Sequence, residues 1–313
     1  MTENALPGGN AGVRRMMLSV VIALLPATLA NAFATALVHP CGDALVNVSR
    51  ALSCIALCLG TTTLCDVIVR KLRGHNSSYL FADASALVIA LIIAIMLPNT
   101  APWYLPVSAS AFAVMLGKEA FGGLGNNPFN PAMTGVALGF TLLPNAFVEP
   151  PAVADTSWHF SALTWLPLSA MVSLALTGGG LFLLSRRVIS WHGPFGMLSM
   201  LAAPAAYATL TFGAGSNHGY TQPFHWFSAT TLLCAWFVIT DPVTGATTRL
   251  GQLLFGALVG ALSIAMLLRN APPVAAAFAV LLANAAVPWI DRLTLRPPAA
   301  FRKHQRQHQH QQS

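Results

Sequence analysis

Two stretches combine residue types able to hold a polar ligand inside an otherwise greasy chain. The first is GGLGNNPFNPAMTG, from Gly122 to Gly135, with four glycines, three asparagines and two prolines. Asn126, Asn127 and Asn130 supply uncharged donors and acceptors, which suit the edge of a flavin or a quinone. Bare backbone at membrane depth is tolerated only where it is buried in protein or lines a cavity. Freed carbonyls and half-helix ends there make sites for ions or polar groups. A tight helix connection with asparagine caps is the plainer use of the same pattern. The second stretch is TDPVTGATTRLG, from Thr240 to Gly251. Asp-Pro signals a turn and a helix start, and Asp241 is expected to cap the helix that follows.

Ionisable residues inside apolar runs come next. Asp66, Asp83 and the adjacent pair Lys118 and Glu119 all lie in or beside such runs. Acids in the bilayer are expensive and default to a functional reading. Asp66 and Asp83 can also reach toward Arg70, so a structural salt bridge is an equal reading. Lys118 and Glu119 are helix neighbours and are not expected to face each other. Cys54 and Cys58 share a helix face, and Cys65 follows. A cluster usually needs four ligands, so buried small hydrophobes are the better reading. The five cysteines (41, 54, 58, 65 and 234) make no CxxC pair and no zinc spacing. His159, His218 and His225 fall near Trp158 and Trp226, as in an interfacial belt.

The elements that must position these residues follow from composition. The chain has 313 residues, 55% hydrophobic and 8% charged, and its mean hydropathy is +0.64. Soluble domains average about 25% charged residues, so an ordinary soluble domain is excluded, as is a disordered chain. Its apolar runs are continuous, unlike the alternating strands of a barrel. Crossing a bilayer takes about 20 apolar residues. Ten runs stand out, near 17–37, 48–69, 78–97, 104–117, 132–147, 161–184, 194–213, 226–240, 249–268 and 272–290. The expected fold is an all-α polytopic membrane protein of about ten transmembrane helices. Residues 1–16 form a short leading segment, 17–291 one integral domain, and 292–313 a disordered basic, Gln- and His-rich tail. The first apolar run continues into a full span, so no cleavable signal is expected.

The formal net charge is +7. Its cations cluster between runs, at Arg14–Arg15, Arg70–Arg73, Arg186–Arg187, Arg249 and beyond Arg292. That pattern is an orientation signal facing membrane lipid, not a nucleic-acid surface. With ten spans, all these clusters share one face, which should be cytoplasmic, with both termini on it. Arg269 is the exception.

Gly122–Gly135, Arg186–His192 (RRVISWH), Thr240–Gly251 and Phe278–Asp291 (FAVLLANAAVPWID) occur in this order along nearly the whole chain. Together they resemble the RnfD family, a membrane component of the Rnf-type ion-translocating electron transport complex, related to the NqrB component of the sodium-pumping NADH:quinone reductase. The resemblance implies a ten-helix protein of the bacterial inner membrane that carries flavin inside a multi-subunit redox pump. Other subunits would supply the ferredoxin and NAD sites. It also implies FMN joined to a threonine by a flavin transferase on the outer face, with riboflavin as a possible second cofactor.

The family acceptor motif resembles Ser-x-Ala-Thr, and this chain departs from it. Its nearest match is Ser161-Ala162-Leu163-Thr164, which makes Thr164 the acceptor by family position. The stretch Asp241-Pro242-Val243-Thr244-Gly245-Ala246-Thr247 resembles the transferase consensus more closely, which makes Thr247 the acceptor by motif. The charge pattern puts Thr247 on the wrong face. Two other readings stand beside the electron relay: a solute or ion transporter or channel, and an assembly component without flavin.

Overall fold

The computed structural model describes residues 9–38, 44–74, 84–98, 101–147, 166–212, 228–267 and 272–295. Among the described residues there are ten α-helices and no strand. They are α1 (Gly9–Val38), α2 (Ala44–Leu72), α3 (Ser85–Met96), α4 (Tyr104–Phe112) and α5 (Pro131–Leu142). After these come α6 (Leu166–Ser185), α7 (His192–Phe212), α8 (Ala229–Leu233), α9 (Arg249–Leu267) and α10 (Pro272–Thr294). Each apolar run of the sequence contains one of them.

Four helical stretches are long and apolar enough to cross a bilayer: Gly12–Ala34, Leu45–Leu72, Arg249–Met266 and Pro273–Thr294. Shorter apolar helices occupy Ser85–Met96, Pro131–Leu142, Ala170–Ser185 and Ala229–Val238. Local chemistry explains where several of these short helices begin and how they continue. Helices α4 and α8 widen into π-helical turns, at Ala113–Lys118 and Cys234–Val238. The first of these tightens into a 3-10 turn, Glu119–Phe121, and leaves through Gly122, whose φ of 105° favours glycine. Helix α5 starts at Pro131, where a missing N–H costs nothing, behind Asn130, whose side chain caps Met133 N–H.

One end of the bundle gathers the helix ends that matter. Met16 and Met17 from the start of α1, Ser85 from the start of α3 and Leu183 near the end of α6 line a common cleft. Lys118 and Asp241, which follow α4 and α8, line it too. Asp66, near the end of α2, bonds Lys118 there. Thr248, just ahead of α9, bonds Thr294 at the end of α10. Successive helices therefore alternate in direction, and α1 begins where α10 ends. The basic pairs Arg14–Arg15, Arg70–Lys71 and Arg186–Arg187 lie at this same end, as do Arg249 and Arg292.

Small residues let backbones meet. A methyl added to Gly196 of α7 would fall on the Leu253 carbonyl of α9, and one on Gly256 would fall on the Gly193 carbonyl. Gly179 of α6 meets the Ala23 carbonyl of α1 in the same way. Such close seams replace the hydrophobic driving force that lipid removes. Away from the seams, α1 exposes Leu18, Ile22, Leu25, Leu29 and Phe33 along one stripe.

Gly256→Val should lower the thermal midpoint of the purified chain by the equivalent of about 1–3 kcal/mol, an overpacking cost. Gly178→Ala, where an added methyl meets nothing within 4 Å, should leave it unchanged. A scan in one detergent reads both.

Candidate functional site

The cleft lies between the two loops picked out in the sequence. It offers about 720 Å³ of space free of protein atoms, its mouth included, within the range of small-molecule sites. Val88, Ile89 and Ile92 of α3 form one apolar wall, and Phe237, Val188 and Ile189 form another. Polar groups converge from Asn127, Asn130, Lys118, Thr240 and Asp241.

Asn127 is 3% exposed. Its amide nitrogen donates to the Phe129 carbonyl at 3.2 Å, while its Oδ1 has no hydrogen-bond partner among the described residues. A buried acceptor without a donor is costly, so a ligand N–H is the natural complement. Asn130 has a different task. Its Oδ1 accepts from Met133 N–H at 3.2 Å and so starts α5. Asn126 departs from expectation: it is exposed and is not part of the cleft wall. The glycine turn before it sends neighbouring side chains to opposite sides, with φ of 96° at Gly123 and 99° at Gly125.

Asp241 also departs from expectation. Its carboxylate accepts from Val243 N–H at 3.1 Å and from the Thr244 hydroxyl at 3.0 Å, closing an Asx-type turn. Helix α9 is capped instead by Thr248, whose Oγ1 accepts from Gly251 N–H at 2.9 Å. Burial lifts the Asp241 carboxyl above the ordinary carboxylate range, and the two donors pull the other way. Thr247 is exposed and outside the cleft wall. Its N–H donates to Asp291 Oδ1 at 3.0 Å. Thr164 and Asp83 lie outside the described residues.

Asn284 of α10 was not singled out from the sequence, although it sits inside FAVLLANAAVPWID. Its Oδ1 accepts from Asn130 N–H at 3.1 Å, and its Nδ2 donates to the Thr244 carbonyl at 2.9 Å. One side chain thus ties the two loops together. A lone amide in an alanine-rich, apolar helix was the available signal.

The acids form an ion cluster beside the cleft. Lys118 Nζ lies 2.7 Å from Asp66 Oδ1 and 2.8 Å from Ser85 Oγ. Arg70 Nε meets the other Asp66 oxygen at 2.8 Å, and Arg73 meets Glu119 Oε2 at 2.8 Å. The Asp66–Arg70 bridge matches the structural reading of the sequence. Lys118 and Glu119 do not: their charged ends approach to 3.6 Å. The π turn ending at Lys118 and the 3-10 turn beginning at Glu119 break the regular helical period that would have kept them apart. Cys54, Cys58 and Cys234 are buried free thiols, and among the described residues no group of acids, histidines and cysteines could hold a metal.

Residues 7–299 match the model of the NQR2, RnfD, RnfE family. The chain belongs to that family. It is similar to the RnfD-type protein of the ion-translocating oxidoreductase complex of Pseudomonas paraeruginosa, 37% identical over 77% of this chain and 82% of the relative. The protein of the same description from Ectopseudomonas mendocina is 34% identical over 91% of each chain. That of Marinobacter nauticus is 33% identical over 93% of this chain and 91% of its own. Family membership therefore spans both loops and the ion cluster of this NQR2, RnfD, RnfE member.

Replacing Asn284 with Leu removes both arms of the loop bridge. It leaves the Thr244 carbonyl and the Asn130 N–H without that partner, at about 1–3 kcal/mol for each buried group. Faster amide hydrogen exchange in residues 126–130 and 240–246, with a lower thermal midpoint, is the expected result. Unchanged exchange in both loops would refute the bridge.

Proposed function

We propose that this chain is the RnfD-type membrane component of an Rnf-type ion-translocating oxidoreductase complex, and that it relays electrons through a flavin held in the cleft. Its relatives' descriptions support the complex. One observation carries the flavin: the buried Asn127 Oδ1 that lacks a donor on the wall of an apolar slot. An isoalloxazine has an imide N–H to offer it, whereas an oxidised quinone has acceptors only. The residues therefore fit a flavin better than a quinone. Bound there, a flavin would supply one-electron chemistry between donors and acceptors in partner subunits. The chain's own part is to exclude water with the walls from α3 and Phe237, and to fix the ring edge through Asn127. Ferredoxin and NAD are the expected ultimate partners, through other subunits.

In this reading all ten helices cross the inner membrane. The basic end of the bundle, with the cleft and both ends of the chain, faces the cytoplasm. Thr164 is then the acceptor for covalent FMN on the outer face, reached by a flavin transferase. Thr247 is the rival, favoured by its exposure.

Two readouts test this. The chain co-expressed with its flavin transferase should carry a fluorescent band on a denaturing gel, lost in Thr164→Ala. A band lost only in Thr247→Ala would overturn the sidedness, and no band would end the covalent reading. Purified protein should also hold flavin released by denaturation, and Asn127→Leu should weaken its binding by about tenfold, the worth of roughly one buried hydrogen bond. Colourless protein that takes up no added riboflavin would sink the relay.

A further inference from the structure

Lys118 is fully buried, at 0% exposure. A buried ion pair is rarely better for stability than packed apolar side chains of the same volume, so its place calls for another reason. Three cations, Arg70, Arg73 and Lys118, interleave with two carboxylates, Asp66 and Glu119. Of these five groups only Lys118 reaches the wall of the cleft. Its counter-ion Asp66 stands behind it, on α2. The backbone is built to deliver it there. A π turn ends at Lys118, and such turns concentrate at functional sites. Gly117, one residue earlier, is pressed against Pro131, where a methyl would come within 2.8 Å of the proline Cα. That contact locks the lysine's segment to the start of α5, next to Asn130.

We infer that Lys118 sets the electron affinity of the ring in the cleft, its ammonium offsetting the negative charge the ring gains with an electron. The inference rests on the flavin reading above. One electron arrives from an external one-electron donor. Lys118 keeps its proton, and no bond to it forms or breaks. A charge fixed in a water-poor wall acts more strongly than the same charge in solvent. Asp241, on the facing wall, carries the opposite sign when ionised, with its carboxylate turned to Val243 and Thr244.

The test uses the full chain in lipid nanodiscs, with riboflavin as probe and dithionite plus mediators as reductant. Lys118→Met should lower the reduced-to-oxidised ratio at a fixed poise by about tenfold, a fall of about 59 mV for one electron. Lys118→Met strands Asp66, so the paired variant Lys118→Met/Asp66→Asn is measured with it and should shift in the same direction. Equal potentials in wild type and the folded paired variant would overturn the inference and leave the flavin pocket standing. Equal loss of affinity for oxidised and reduced riboflavin would also overturn it, making Lys118 a plain binding group. A wild-type chain that takes up no riboflavin would bring down the pocket and this inference together.

Discussion

Everything at the cleft depends on one carboxamide in the wrong solvent. Asn284 sits 3% exposed in an apolar helix and spends both ends of its amide on backbone groups of separate loops. Non-helical backbone survives at such depth only if its polar groups find partners. The two loops carry exposed-looking sequence, rich in glycine, proline and asparagine, yet Asn127, Asn130 and Thr244 are all buried. Without a donor and acceptor reaching in from α10, that irregular chain would have to seek water, and the slot between the loops would lose its shape.

Close helix seams provide the rigid frame for this arrangement. Helices α7 and α9 touch through glycines, as do α1 and α6, so the walls of the bundle are set by backbone contact more than by adaptable side chains. Against that frame the ion cluster joins α2, the start of α3 and the segment after α4. The cluster and the amide bridge hold opposite sides of the same opening. Charge is kept on one side, and neutral hydrogen bonding largely on the other.

Much of the architecture was legible in the residues. Ten apolar runs became ten helices because continuous hydrophobicity leaves few other options in a bilayer. The Asp66–Arg70 bridge was legible because the two lie four apart on one helix. Cysteine packing was legible from the missing ligand partners. Other features needed coordinates. Asn126 and Asn127 are neighbours of one type, and only the glycine turn decides which of them is buried. Asn284 offers no hint in sequence of which loops it meets, since those contacts span 154 and 40 residues. The Lys118–Glu119 approach was hidden because reading by helical period assumes that the period holds.

The widened turn ending at Lys118 has a consequence for how this segment tolerates change in length. An α-helix turns about 100° per residue, and the π geometry absorbs one residue beyond that register. A single deletion between Ala113 and Gly117 would let the helix relax to its ordinary pitch. The ammonium would then swing roughly a quarter of a circle around the axis, away from its slot, while hydropathy hardly changed. Comparisons blind to indels would score such a chain as intact, although its cation had been rotated out of register with the opening it serves.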